Sequence, residues 1–212
     1  MIAFDLDGTL VDSRRDLISC VNRLRNAHGV ESLDYDGAWP DVCRGMPHLY
    51  AHCFPTWMSE ELNLKTAFEA IYSANIFDET FVYSGIVEML SALHGRVALG
   101  VVTNKPQAAT EQLLEAANLK HFFDVVVGGD RCEASKPSPI PLQFAHRVVK
   151  DGFNLIMVGD SVGDVRCAKA AKAISVWCNW GYWRDRDNDA RFFLESPSEL
   201  IDIVDANHIR LE

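Results

Sequence analysis

Short apolar runs alternating with amphipathic stretches constrain this chain more than any other feature. Residues 97–103 are almost continuously apolar, as expected of a strand buried on both faces. Similar runs stand at 125–127, 155–158 and 174–178, and the chain opens on another at 1–6. Between them the period lengthens to that of a helix. The stretch 86–93 ends at Gly95. Pro106 opens a helix to about residue 117, at a first-turn position where proline is tolerated. Helices at 139–149, 165–173 and 197–206 follow the same logic. Strands alternating with helices imply a Rossmann-like parallel sheet in a three-layer α/β/α arrangement. Its strands are expected near 1–6, 97–103, 124–128, 155–159 and 174–178. The first should lie centrally, beside the one near 155–159.

Between the first strand and the alternating part the pattern is purely helical. Leu17, Ile18, Val21 and Leu24 recur at three- and four-residue spacing, and a break follows at His28-Gly29. Further amphipathic stretches cover 38–43, 48–53 and 59–75, the last opened by Ser59 as an N-cap with Glu61 in the first turn. Helices clustered after one strand imply an inserted subdomain. The expected division is a core of 1–12 with 85–212 and a helical cap of 13–84. Trp39, Phe54 and Trp57 are assigned to the cap core, and Trp177, Trp180 and Trp183 to the end of the sheet.

Composition excludes several classes. Hydrophobic residues at 48% and charged residues at 24% are globular values. A net charge of −10 argues against nucleic acid or an anionic membrane as partner. No apolar run approaches the ~20 residues of a bilayer span. The N-terminus lacks a basic segment followed by an apolar one, and no Cys-x-x-Cys pair occurs among six cysteines. The expectation is a cytoplasmic protein with reduced thiols, a monomer or a homodimer.

Polar clusters follow the expected strands. Asp5 and Asp7 end the first, Thr103 and Asn104 the second. Lys136 lies beyond the third, and Asp160 and Asp164 follow the fourth. Ligands of open α/β sheets bind outside the carboxyl ends of the strands, where strand order reverses. Four acids against Lys136 leave a charge of −3. Two carboxylates ~4 Å apart repel by roughly 4 kcal/mol at an effective dielectric near 20, so such a cluster needs a cation. Oxygen ligands without His or Cys select a hard one, and Mg²⁺ is the natural choice. The remaining charge of −1 suits a phosphate dianion held by Lys136, Thr103 and backbone N–H groups.

Four motifs carry a resemblance. Asp5-Leu6-Asp7-Gly8-Thr9-Leu10-Val11, Thr103-Asn104-Lys105-Pro106, Ser135-Lys136-Pro137-Ser138-Pro139 and Gly159-Asp160-Ser161-Val162-Gly163-Asp164 resemble, in order and spacing, those of haloacid dehalogenase superfamily phosphatases. The phosphoglycolate phosphatase-like group is the most similar. The resemblance implies a four-helix cap and a Mg²⁺-dependent phosphomonoesterase acting on a small phosphorylated metabolite. It implies that Asp5 is the nucleophile forming an aspartyl phosphate, and that Asp7 is the general acid and base. Mg²⁺ would be held by Asp5, Asp160 and the main-chain carbonyl of Asp7, with Asp164 either a further ligand or the residue orienting Lys136. Thr103, Asn104 and Lys136 would bind the phosphate. Arg44, beside Gly45, is the cap candidate for substrate contact, because a guanidinium suits anionic groups. The cap is expected to move on linkers at 11–13 and 83–85.

Other readings stand beside this one. Thr103 could be only a helix N-cap. His48 and His52, spaced i, i+4 near Cys43 and Cys53, suit zinc but lack a full tetrahedral set. The charged loop at 184–189 has no assigned role. A sugar phosphomutase, pyrophosphatase or nucleotidase could use the same scaffold. A non-catalytic phosphoacceptor module is the alternative of a different class, and the large insertion after Asp7 has no purpose in one.

Overall fold

The computed structural model describes residues 1–150, 154–183, 185 and 187–206. Two compact units divide it: Met1–Asp12 with Val82–Glu212, and Ser13–Phe81. In chain order the first unit begins with β1 (Ile2–Phe4) and β2 (Val11–Asp12). The second holds α1 (Arg14–Ala27), α2 (Tyr35–Val42), α3 (Met46–His52), α4 (Thr56–Glu61) and α5 (Leu64–Ala74). The chain returns through β3 (Phe81–Val82) to α6 (Ile86–Leu93), β4 (Leu99–Val102), α7 (Gln107–Ala116) and β5 (Val125–Val127). It finishes with α8 (Ile140–Val149), β6 (Ile156–Gly159), α9 (Val162–Ala170), β7 (Ile174–Cys178), β8 (Phe192–Leu194) and α10 (Glu199–Asp205).

Six strands form one parallel sheet in the order β5-β4-β1-β6-β7-β8. The register aligns Phe4 with Val101 on one side and Val158 on the other. Every residue of β1, β4, β6 and β7 is buried, as continuous apolar strands require when both faces are covered. Because side chains alternate along a strand, Ala3, Val102 and Met157 share one face. There they meet Leu142 of α8 and Ala168 of α9. On α6, Ile86, Met89, Leu90 and Leu93 form a buried stripe, and that helix packs on α10.

All five expected strands lie within the ranges read from the sequence, and β1 is central beside β6. The sequence reading missed the sixth, β8. It is three residues long and lies at the sheet edge, only partly buried, too short for a periodicity to show. It also began α9 late. The helix starts at Val162, capped by Ser161, whose side chain accepts from the Asp164 N–H while the Asp164 carboxylate accepts from the Ser161 N–H.

The helical unit packs α1 against α5. Leu17, Val21 and Leu24 of α1 are buried, as are Leu64, Phe68 and Tyr72 of α5. Buried Asp16 joins the two ends of this unit. Its carboxylate accepts from the Glu79 N–H at 2.8 Å, the Thr80 N–H at 2.9 Å and the Thr80 hydroxyl at 2.6 Å. Three expectations fail here. There are five helices, where the resemblance implied four. Ser59 caps nothing, because it lies inside α4. The second helix of that stretch is instead capped by Asn63, which accepts from the Thr66 N–H. Trp57 is exposed and outside the core, whereas Phe54 is buried.

Candidate active site

The sheet order gathers sequence-distant residues. From β1 the chain adds β4 and β5 on one side, then crosses to add β6, β7 and β8 on the other. Order therefore reverses beside β1, and that is where α/β sheets form a crevice at their carboxyl ends. Asp5 follows β1, Thr103 follows β4 and Asp160 follows β6.

Lys136 joins the first and last motifs. Its ammonium lies 2.9 Å from Asp5 Oδ1 and 2.6 Å from Asp164 Oδ1, with its side chain 3% exposed. Burial by itself would lower the Lys136 pKa, but Asp164 and Asp5 outweigh it and hold the lysine above its ordinary value. Burial pushes the Asp5 carboxyl up to about 6. Lys136 opposes that rise, Asp164 adds to it, and the hydrogen bond from the Leu6 N–H opposes it again. Asp160 is raised well above the ordinary carboxylate range, by burial first and by Asp5 and Asp164 next. Acids raised in this way are short of positive charge.

One ligand atom from each of Asp5, Asp160 and Asp164 can lie within 4.8 Å of the others. Three carboxylates so close fit a hard divalent cation. Glycines make the cluster possible. A Cβ on Gly8 would stand 2.4 Å from Asp160 Oδ2, one on Gly181 2.2 Å from Asp160 Cβ, and one on Gly159 2.3 Å from Asp164 Cγ. Gly8 also needs its φ of +86°. Asp160 is oriented on both oxygens. Oδ1 accepts from the Thr9 hydroxyl at 3.2 Å and Oδ2 from the Tyr182 N–H at 2.7 Å. Trp180 Nε1 donates to the Thr9 carbonyl at 2.9 Å, pinning the Asp5–Val11 loop, and Trp177 is fully buried.

Asp164 Oδ1 accepts from Lys136, and its Oδ2 accepts from the Ser161 N–H and hydroxyl. Of the two roles the resemblance left open, orienting Lys136 has its geometry in place. The Asp7 carboxylate lies outside the acidic cluster and meets a lysine to which the sequence reading gave no role. Lys105 Nζ is 3.2 Å from both Asp7 oxygens. Counting Lys105 corrects the charge of the four acids from −3 to −2, so one divalent cation brings the group to neutrality. The sequence signal was a lysine two residues after Thr103, within Thr103-Asn104-Lys105-Pro106.

Thr103 is buried, and its hydroxyl accepts from the Lys105 N–H at 3.3 Å. It is not a helix cap, because Pro106 occupies that position for α7. The Asn104 side chain reaches across to the third motif. Its Nδ2 donates to the Lys136 carbonyl at 3.0 Å and its Oδ1 accepts from the Lys136 N–H at 2.9 Å. Both heteroatoms thus hold the lysine's backbone in place.

In the helical unit, Arg44 is exposed in the turn between α2 and α3, and Gly45 beside it has φ +102°. His48 Nε2 meets Asp41 Oδ1 at 2.8 Å, and the His48 and His52 rings stack at 3.7 Å. Among the described residues these histidines belong to no cluster of three metal-ligating groups. Of the charged loop at 184–189, Arg184 and Arg186 lie outside the described residues. Asp189 is paired with Lys169 at 2.7 Å.

The family model for haloacid dehalogenase-like hydrolases matches residues 2–178. A phosphoglycolate phosphatase of Aquifex aeolicus is 30% identical over 211 residues, covering 99% of this chain and 98% of the relative. One of Caulobacter vibrioides is 36% identical over 216 residues, covering 96% and 91%. A crystal structure of a subfamily IA hydrolase from Geobacter sulfurreducens superposes with a TM-score of 0.79 at 26% identity, covering 95% of this chain and 97% of that one.

Proposed function

The chain belongs to the haloacid dehalogenase-like hydrolase family, and on that premise we propose a Mg²⁺-dependent phosphomonoesterase for phosphoglycolate or a closely similar small ester, working through an aspartyl phosphate. That it is a phosphoric monoester hydrolase accords with relatives named phosphoglycolate phosphatase over nearly the whole chain. The observation that carries the mechanistic reading is the Asp5–Lys136–Asp164 triad beside Asp160.

Asp5 is assigned as nucleophile. One of its carboxylate oxygens attacks phosphorus while the bond to the leaving oxygen breaks. Asp7 gives that oxygen a proton. In the second half Asp7 takes a proton from water, the water oxygen attacks phosphorus, and the bond to Asp5 breaks to release inorganic phosphate. Lys136, held by Asn104 and Asp164, balances charge on the transferring group, and Thr103 offers its hydroxyl. Asp5, Asp160, Asp164 and the main-chain carbonyl of Asp7 are the residues that would hold Mg²⁺, and the ion would supply charge neutralisation during transfer. Selection among esters is assigned to Arg44 of the helical unit, because a guanidinium suits an anionic group such as a carboxylate.

The test is turnover of purified protein with Mg²⁺ on 2-phosphoglycolate, sugar phosphates, nucleotides and pyrophosphate. Asp5→Asn should abolish it. Near-wild-type rates in that variant would refute covalent catalysis by Asp5, and a preference for pyrophosphate or nucleotides would refute the substrate class.

A further inference from the structure

We propose that Lys105 is a positioning residue that acts through Asp7, anchoring this carboxylate where it serves the reacting ester. The inference rests on the phosphatase reading above and adds a residue to it. Lys105 is placed unlike a surface lysine. Its side chain is 5% exposed, against 22% for Asp7, and Nζ stands equidistant, at 3.2 Å, from the two Asp7 oxygens. An ammonium bonded to both oxygens anchors the carboxylate head and limits its swing about the Cα–Cβ bond.

The backbone beneath Lys105 is held just as firmly. Its N–H donates to Thr103 Oγ1, and its carbonyl accepts from the Gly129 N–H at 2.8 Å and from Thr110 Oγ1 at 3.2 Å. Gly128 and Gly129 close over this turn. A Cβ on Gly128 would lie 3.0 Å from the Lys105 carbonyl oxygen and one on Gly129 2.4 Å from the Asn104 carbonyl oxygen. Ordering a long buried side chain costs rotamer entropy and desolvation of its charge, and here the head group ends on one carboxylate of the site. The two lysines divide the acids between them, Lys136 taking Asp5 and Asp164 and Lys105 taking Asp7. Acid–base help depends on orientation as well as on proton affinity, so a fixed Asp7 is worth more than a free one.

A double-mutant cycle tests this. The wild type, Lys105→Met, Asp7→Asn and the double variant are compared with Mg²⁺ on 2-phosphoglycolate and on 4-nitrophenyl phosphate. The nitrophenolate leaves as a stable anion and needs little proton donation, whereas the alkoxide of glycolate needs it. Lys105→Met should lower kcat/KM on phosphoglycolate by about 10- to 100-fold, part of the 10²–10⁴ that acid–base help supplies. On the aryl ester the loss should stay under about threefold, and in the Asp7→Asn background the lysine change should cost almost nothing further. Lys105→Arg should recover part of the loss, and it serves as the second variant if Lys105→Met does not fold. Equal losses on both esters, or the same loss with and without the Asp7 carboxylate, would overturn the proposal in favour of a phosphate-binding or purely structural lysine. A wild type that hydrolyses neither ester would instead overturn the phosphatase reading, and this inference with it.

Discussion

Asp5 should make the metal-free fold less stable at neutral pH than in mild acid. Its carboxyl is raised from 3.8 to about 6, chiefly by burial. A raised acid binds its proton more tightly in the folded chain than in the unfolded one. The stability it contributes is therefore present below about pH 4 and lost as pH rises through about 6. At about 1.4 kcal/mol per pH unit, the loss approaches about 3 kcal/mol by pH 7.5. For a chain of this length, about 2–4 °C per kcal/mol converts that to a ceiling of about 6–12 °C in thermal midpoint. The assay is thermal unfolding in EDTA from pH 4.5 to 7.5 for the wild type and Asp5→Asn, since the variant subtracts the titrating groups that do not face Asp5. The variant should gain on the wild type as pH rises from 4.5 to a little above 6 and hold that lead to 7.5. Adding Mg²⁺ should stabilise the wild type more at pH 7.5 than at pH 5, because protons and cation compete for the same carboxylates. Parallel curves for wild type and variant across this range would refute the reasoning.

Three further outcomes follow from the packing. Gly181→Ala places a Cβ 2.2 Å from Asp160 Cβ; it should cost about 1–3 kcal/mol by overpacking and weaken Mg²⁺ binding, measured by calorimetric titration, by about 10- to 100-fold. Asn104→Ala strips both hydrogen bonds from the Lys136 backbone; denaturant unfolding should show a loss of about 1–3 kcal/mol, with turnover falling as well, and unchanged turnover would deny the clamp its role in the site. Asp16→Ala leaves the Glu79 and Thr80 amides without their acceptor; hydrogen exchange at those two amides should quicken while amides of β1 and β6 keep their protection.

Much of this protein is determined within short windows of sequence. Continuous apolar runs such as 99–102 can only be strands covered on both sides. The ends of α6 at Gly85 and His94 were likewise legible from the turn residues around them. Asp5 and Asp160 could be paired because each directly follows a strand and α/β ligands gather at such ends. Tertiary structure alone decided the partners. Nothing local says that Lys105 meets Asp7, 98 positions away, or that Asn104 spends its amide on the Lys136 backbone. The same holds for β8, whose three residues pair only because β7 already offers an edge. Periodicity and turn chemistry act over a few residues, whereas ion pairs and edge pairing depend on the order of strands in the sheet. That order is a free-energy choice made by the whole chain at once.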